Sequence, residues 1–203
     1  VSGGHTSLFR TTGPLDHQRL GSTVDDAAGE AFDKVAKILQ LGFPGGPVID
    51  ATAREGDPEA FDLPRAWLDG ESLDFSFSGL KTAVLYHCLG QNASMDDIQN
   101  ASYEPQIVAD MAASFQKAVV DVVVEKVRLA AEQEATRGII VGGGVAANSL
   151  LREELQRMAR QEGLKMTLAP LPLCRDNAAM VAGVAYPMYQ DGRTAPLTVE
   201  ATP

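Results

Sequence analysis

The sequence predicts an α/β fold, on three observations. Residues 1 to 24 read as a β-hairpin, residues 105 to 135 repeat their apolar side chains at helical spacing, and the apolar run Gly138 to Val141 ends in three glycines before another helix.

The elements follow in order. Ser7-Leu8-Phe9-Arg10-Thr11 is strand-like, Thr12-Gly13-Pro14 is a turn, and the chain returns toward Val24. A helix runs from about Asp25 to Leu41, stopped by Gly42 and by the loop Pro44-Gly45-Gly46-Pro47. Shorter helices follow that loop and begin near Ser78. From Pro105 to Ala135, the spacing of Ile107, Met111, Phe115, Val119, Val122, Val123, Val127 and Ala130 predicts a long, mostly buried helix. The strand Gly138 to Val141 then stops at Gly142-Gly143-Gly144. A helix from about Asn148 to Gln161, a strand near Met166 to Ala169, a Pro-rich loop and a last helix from Asp176 to Tyr189 complete the alternation.

Composition sets the class. The 203 residues are 45% hydrophobic and 22% charged, near the globular average, which excludes disordered and fibrous chains. Cys88 and Cys174 match neither a zinc spacing nor a disulfide framework, and so point to a reducing, cytoplasmic setting. No run approaches 18 apolar residues and no basic, apolar leader opens the sequence, so no membrane role is expected. A net charge of -10 argues against a surface built wholly for nucleic acid, whose binding is dominated by phosphate neutralisation. Lys81, Lys117, Lys126, Arg128, Arg152, Arg157, Arg160 and Lys165 form the one loose basic grouping.

Four stretches can carry chemistry, and the opening "VSGGHTSL" adds a strand meeting a tight glycine turn that brings backbone N–H groups toward an anion. In "GSTVDDAAGEAFDKVAKIL", Asp26, Glu30, Asp33 and Lys37 stand four, three and four apart, placing three carboxylates on one helix face. This is either a solvated acidic face or a set of acceptors for ligand hydroxyls or an amine. Like charges at i and i+4 repel, and Gly29 inside the helix costs about 1 kcal/mol relative to Ala, which points to a group approaching closely there. In "GFPGGPVID", Gly45 and Gly46 precede a helix containing Asp50; the loop is a plain turn or presents its N–H groups to a ligand. "GIIVGGGVAANSLLREEL" is a strand, a glycine turn and a helix capped by Asn148 or Ser149, an arrangement that favours phosphates but is neither the dinucleotide fingerprint nor a P-loop. In "LCRDNAAMVAG", Asp176 and Asn177 either cap a helix or offer Asp176 to a metal, yet His5, His17 and His87 form no spacing that would complete a metal site.

The stretches "VSGGHTSL", "DDAAGEAFDKVAKILQLGFPGGP", "LDFSFSGLKTAV", "GGGVAANSLLREEL" and "RDNAAMVAG" together resemble the family of tRNA threonylcarbamoyladenosine synthesis proteins, once called O-sialoglycoprotein endopeptidases. The resemblance runs through essentially the whole chain. It implies an actin-like fold, related to sugar kinases, heat-shock chaperone ATPases and ribonuclease H, of which this chain is the second lobe opening with a β-hairpin. It also implies transfer of the threonylcarbamoyl group of threonylcarbamoyl-AMP to N6 of adenosine 37 in tRNAs reading codons that start with A.

Carried over by position, the resemblance implies that Val1, Ser2, Gly3, Gly4, Asp33, Gly46, Asp50 and Asn148 contact the adenylate, or ATP in its place. Asp176 matches the aspartate that ligates one divalent metal ion, iron or zinc, whose other ligands are histidines of a His-x-x-x-His motif ahead of the glycine turn. The chain is therefore expected to be a carboxy-terminal portion without the amino-terminal lobe, inactive by itself. Arg175 departs from the family's pattern, which favours a small polar residue there. Implied partners are tRNA and the other subunits of the threonylcarbamoyladenosine complex, including a degenerate paralogue and, in bacteria, a small ATPase. A metal-dependent glycoprotein endopeptidase and a non-catalytic actin-like lobe are the alternatives. The anhydride of the implied substrate is already activated, so positioning and charge stabilisation suffice and no side-chain nucleophile is required.

Overall fold

The structure, a computed structural model, describes residues 1–68, 70–196 and 198–199. Strands β1 (Ser7–Gly13) and β2 (Asp16–Ser22) lead to helices α1 (Ala28–Ile38), α2 (Gly45–Thr52), α3 (Ser78–Leu89) and α4 (Pro105–Gln133). Then come β3 (Gly138–Val141), α5 (Ser149–Gln161), β4 (Lys165–Leu168) and α6 (Ala178–Gln190), with short 3-10 turns at Ala53–Glu55, Asp97–Asn100, Gly144–Ala147 and Leu171–Leu173. The α/β alternation is as expected, but the strands form two separate pairs: β1 and β2 antiparallel, β3 and β4 parallel across α5.

The core gathers around α4. Pro105 at its first turn has no N–H to leave unsatisfied there, and the 3.6-residue apolar period buries one broad face. Met111, Phe115, Val119, Val122 and Val123 are buried as the periodicity requires, whereas Ile107, near the amino end, is exposed. Phe115 meets Phe32 of α1 edge to face, with centroids 5.1 Å apart at 77°, and so ties the first half of the chain to the second. Among the described residues Lys126 is the one charged residue drawn into this packing; its ammonium donates to the backbone oxygens of Trp67, at 2.7 Å, and Ser72, pinning the connector before α3.

The first helix is shorter than the sequence predicts. Asp25 and Asp26 stay outside it, so the three carboxylates do not share a helical face. Asp25 instead caps α3 across the fold: its carboxylate accepts the N–H groups of Phe77 (2.9 Å) and Ser78 (3.3 Å) and the hydroxyls of Ser76 (2.6 Å) and Ser78 (2.7 Å). Asp26 and Glu30 both pair with Lys34, at 2.6 and 2.7 Å, which cancels the expected repulsion; Lys37 is not the partner. At the other end α1 closes with Gln40 at φ 58° and the Leu41 N–H returning to the Ala36 oxygen, before Gly42 is reached. The last helix likewise begins two residues later than predicted, because Asn177 rather than Asp176 caps it, its side chain accepting the Met180 N–H at 3.0 Å. None of the α6 side chains is buried.

The Asp25 cap makes stability depend on pH. Burial raises the carboxylate's pKa, but the hydrogen bonds from Ser76, Phe77 and Ser78 together outweigh it and hold Asp25 below its ordinary value. A depressed acid stabilises the fold fully above its unfolded value near 4 and loses that contribution as pH falls through the lower folded value. Between pH 5 and 3 the melting temperature of the native chain should therefore fall more steeply than that of an Asp25→Ala variant. Parallel profiles would show that the cap carries no charge-dependent stability.

Candidate ligand site

The predicted site residues form a circuit of contacts between elements distant in sequence. It begins at the opening turn, closed by the Ser2 N–H donating to the His5 oxygen at 2.7 Å and by the Ser2 hydroxyl bridging the same residue. The Ser2 oxygen accepts the Gly29 N–H at 3.3 Å, so the turn lies directly on the first residues of α1. A Cβ at Gly29 would stand 2.6 Å from the Gly3 Cα and 2.7 Å from the Ser2 oxygen, which answers the sequence puzzle of a glycine inside a helix. The turn's other side meets the glycine stretch after β3. The Val1 nitrogen donates to the Gly142 oxygen at 2.8 Å, and the Val1 oxygen accepts from the Val145 N–H at 3.1 Å. Gly143 has φ 96°, and a Cβ on it would stand 2.3 Å from the Val1 oxygen, so both backbone angle and space demand glycine.

From Gly29 the circuit continues one helical turn to Asp33. Its Oδ1 accepts the Gly45 N–H at 2.7 Å and fixes the start of α2 against α1. Gly45 therefore spends its N–H inside the protein instead of offering it to a ligand. The second Asp33 oxygen makes no hydrogen bond among the described residues and remains an available acceptor. Farther along α2, Asp50 is committed on both oxygens: Oδ1 accepts the Ser149 hydroxyl (2.7 Å) and N–H (3.1 Å), and Oδ2 faces Arg54 at 3.4 Å. Asn148, not Ser149, caps α5, its Oδ1 accepting the Leu151 N–H at 3.0 Å. Asn148 is buried, and its amide nitrogen donates to Gln116 Oε1 of α4 at 2.7 Å.

Gln116 and Asp25 are polar residues whose roles sequence reasoning missed. For Gln116 the signal was present, an amide at an inward position of an otherwise apolar helical period; for Asp25 no local pattern pointed to a helix fifty residues on. The faces of Gly3, Gly4, Gly46 and Gly144 have nothing within 4 Å of where a side chain would start. The open glycine backbone and the free Asp33 oxygen are thus the groups left to meet a ligand, donors for an anion and an acceptor for a hydroxyl.

Asp176 stands apart from that circuit. It is exposed and makes no hydrogen bond or ion pair with the described residues. Among the described residues no three His, Cys, Asp or Glu side chains gather as metal ligands, so Asp176 supplies one carboxylate and not a metal site. Cys174 is buried beside it with its thiol directed at the Ala169 and Pro170 oxygens at 3.6 Å, a packing role. Burial pushes the Cys88 thiol up to about 11, so it stays protonated and unreactive at neutral pH.

The fold is an α/β arrangement in which glycine turns and carboxylates from elements distant in sequence contact one another. The chain belongs to the family of TsaD, tRNA N6-adenosine threonylcarbamoyltransferase, whose model matches residues 1–183. Proteins named tRNA N6-adenosine threonylcarbamoyltransferase from Thermosipho africanus and Moorella thermoacetica are 47% and 49% identical to it over all 203 residues. The chain spans 58% and 57% of the length of those two relatives. Among solved structures, a crystal structure of HypF from T. kodakarensis superposes with a TM-score of 0.56 at 19% identity, over 88% of this chain and 21% of that one, a likeness of fold. No helix among the described residues is long and apolar enough to cross a membrane.

Proposed function

We propose that this chain is the adenylate-holding portion of a tRNA N6-adenosine threonylcarbamoyltransferase, forming the second lobe of an actin-like enzyme that works in the cytoplasm. The observation that carries the reading is the circuit from the Ser2–Gly4 turn through Gly29 and Asp33 to Gly45, and through Gly143 to Asn148. In this reading, the N–H groups around the opening turn and Gly144 receive the phosphate of threonylcarbamoyl-AMP, or of ATP. The free Asp33 oxygen accepts a ribose hydroxyl. Asp50 and Asn148 hold the floor of the site by fixing the start of α5 and keep fewer free atoms for the ligand.

The chemistry asked of this chain is positioning. A mixed anhydride needs its carbonyl oriented toward the N6 amine of the tRNA adenosine and the charge on its phosphate held, both within reach of backbone donors. A divalent iron or zinc ion would polarise the anhydride when bound. Asp176 would give that ion one oxygen ligand, with the remaining ligands from outside the described residues.

tRNA contact is assigned elsewhere in the assembly, to further chain or to partner subunits such as a degenerate paralogue and a small ATPase. What supports this is the fate of the basic grouping. Lys126 is buried, Lys117 and Arg128 pair with Asp121 and Glu125 at 2.9 and 2.7 Å, Arg157 pairs with Glu154, and Arg152 donates to the Ala146 and Ala169 oxygens.

The test uses the 203-residue chain with AMP and threonylcarbamoyl-AMP in calorimetric titrations. Asp33→Asn keeps an oxygen for the Gly45 N–H and removes the charge, so the fold should persist while affinity drops about tenfold, the scale of one charged hydrogen bond. Unchanged affinity would remove Asp33 from the site. The same chain incubated with tRNA and threonylcarbamoyl-AMP should transfer nothing by itself; measurable transfer would overturn the division of labour proposed here.

A further inference from the structure

Asn148 and Gln116 form an amide pair buried under the start of α5, 7% and 5% exposed. A backbone group decides which way round both amides lie. The Leu151 N–H can only donate, so the Asn148 atom facing it at 3.0 Å is Oδ1. That puts Nδ2 toward Gln116, and a nitrogen donor at 2.7 Å requires the Gln116 oxygen in return. Each oxygen of the pair therefore has a partner. Gln116 Nε2 makes no hydrogen bond among the described residues, and Asn148 Nδ2 keeps one N–H to spare.

Neither a helix cap nor a tether between helices needs this arrangement. Serine, threonine or aspartate at position 148 would cap α5 as well, and apolar side chains of the same shape would join α4 to α5 at little cost. A glutamine on the mostly apolar buried face of α4 instead buries a donor without a partner, which protein interiors rarely do. The two nitrogens are neighbours, because Gln116 Nε2 shares a carbon with the oxygen that Asn148 contacts. Beside them the Asn148 N–H donates to the Val145 oxygen at 3.0 Å, directly after Gly144 with its open face.

We infer that Gln116 is a positioning residue of the ligand site: it holds the Asn148 amide so that a nitrogen is what remains for the ligand, which brings a hydrogen-bond acceptor to this part of the site. A phosphate oxygen and an acceptor atom of the nucleoside share that chemistry. The inference rests on the ligand reading above and adds to it a residue and a polarity. Asp33 offers an unbonded oxygen, and the amide pair offers unbonded nitrogens. The two arms of the circuit thus differ in what they accept, and a ligand with a hydroxyl on one side and an acceptor on the other fits one way round.

The test titrates AMP and adenosine calorimetrically into the 203-residue chain, Gln116→Met, Asn148→Ser and the double variant. Gln116→Met keeps the reach of the side chain without its polar atoms, and Asn148→Ser keeps a capping oxygen without the amide. Each should weaken AMP about tenfold, the scale of one buried hydrogen bond, and the double variant should lose no more than either alone, since one residue acts through the other. Adenosine weakened equally would assign the acceptor to the nucleoside, and adenosine unaffected would assign it to the phosphate. A mere tether would lower the melting temperature of Gln116→Met and leave its affinity native, which would overturn the inference, as would losses that add in the double variant. One measurement needs no substitution: in the NMR spectrum of the native chain the side-chain amide protons of both residues should shift on AMP addition, and signals that ignore saturating AMP would also overturn it. Native binding that Gln116→Met leaves unchanged sinks this inference alone, whereas a native chain that binds neither AMP nor adenosine sinks the ligand reading and this inference with it.

Discussion

Gly29→Ala should abolish nucleotide binding and lower stability, although it places the best helix former inside α1. Intrinsic propensity alone favours alanine by about 1 kcal/mol. Against that gain, the new Cβ would lie 2.6 to 2.7 Å from backbone atoms of Gly3 and Ser2, which cannot rotate away as a flexible side chain would. The turn has to lift off α1, and the Gly29 to Ser2 hydrogen bond goes with it. A displaced turn no longer aims its N–H groups where the other glycines open. Circular dichroism should show an intact helix content, calorimetry with AMP no measurable heat, and thermal denaturation a lower midpoint. A variant that binds AMP normally would show that the turn's seat on α1 plays no part in holding the ligand.

The largest loss of stability is expected from Phe115→Ala. Phe115 is fully buried and contacts Phe32 edge to face, at the point where α4 packs on α1. Truncating a buried phenylalanine costs about 3–5 kcal/mol, a sizeable part of the 5–15 kcal/mol by which domains are usually stable. Urea denaturation should show the midpoint lowered by this free energy divided by an unchanged slope. Phe115→Leu, which keeps most of the volume, should lose far less. Equal losses for the two variants would mean that the ring's bulk is not what joins the halves.

Much of the fold was legible because its signals are local. The period of α4, the glycines after β3 and the loop before α2 each announce an element within a dozen residues. The Gly29 anomaly was legible for a better reason: a residue that works against its own helix implies a neighbour, and the neighbour is the Ser2–Gly3 backbone. What escaped were roles decided by long-range contact. Asp25 reads as the start of a helix, and nothing near it in sequence reveals that residues 76–78 take its carboxylate. Asp50 reads as a ligand acceptor, but folding sets it against Ser149, ninety-nine positions away, and spends its oxygens there. The spacing of Asp26, Glu30 and Asp33 suggested one acidic face, and the pairing of the first two with Lys34 dissolved it.

The cap on α3 also has a consequence for how this sequence can drift. Asp25 joins Ser76, Phe77 and Ser78 across the fold with four hydrogen bonds to one carboxylate. Losing the aspartate strands four donors at once, whereas losing one serine removes only a single hydroxyl. Once the aspartate is gone the serines cost little to change, so the order of substitutions decides their effect. These three positions are a small epistatic unit: each serine can wander while Asp25 stays, and Asp25 moves only after its partners have become dispensable.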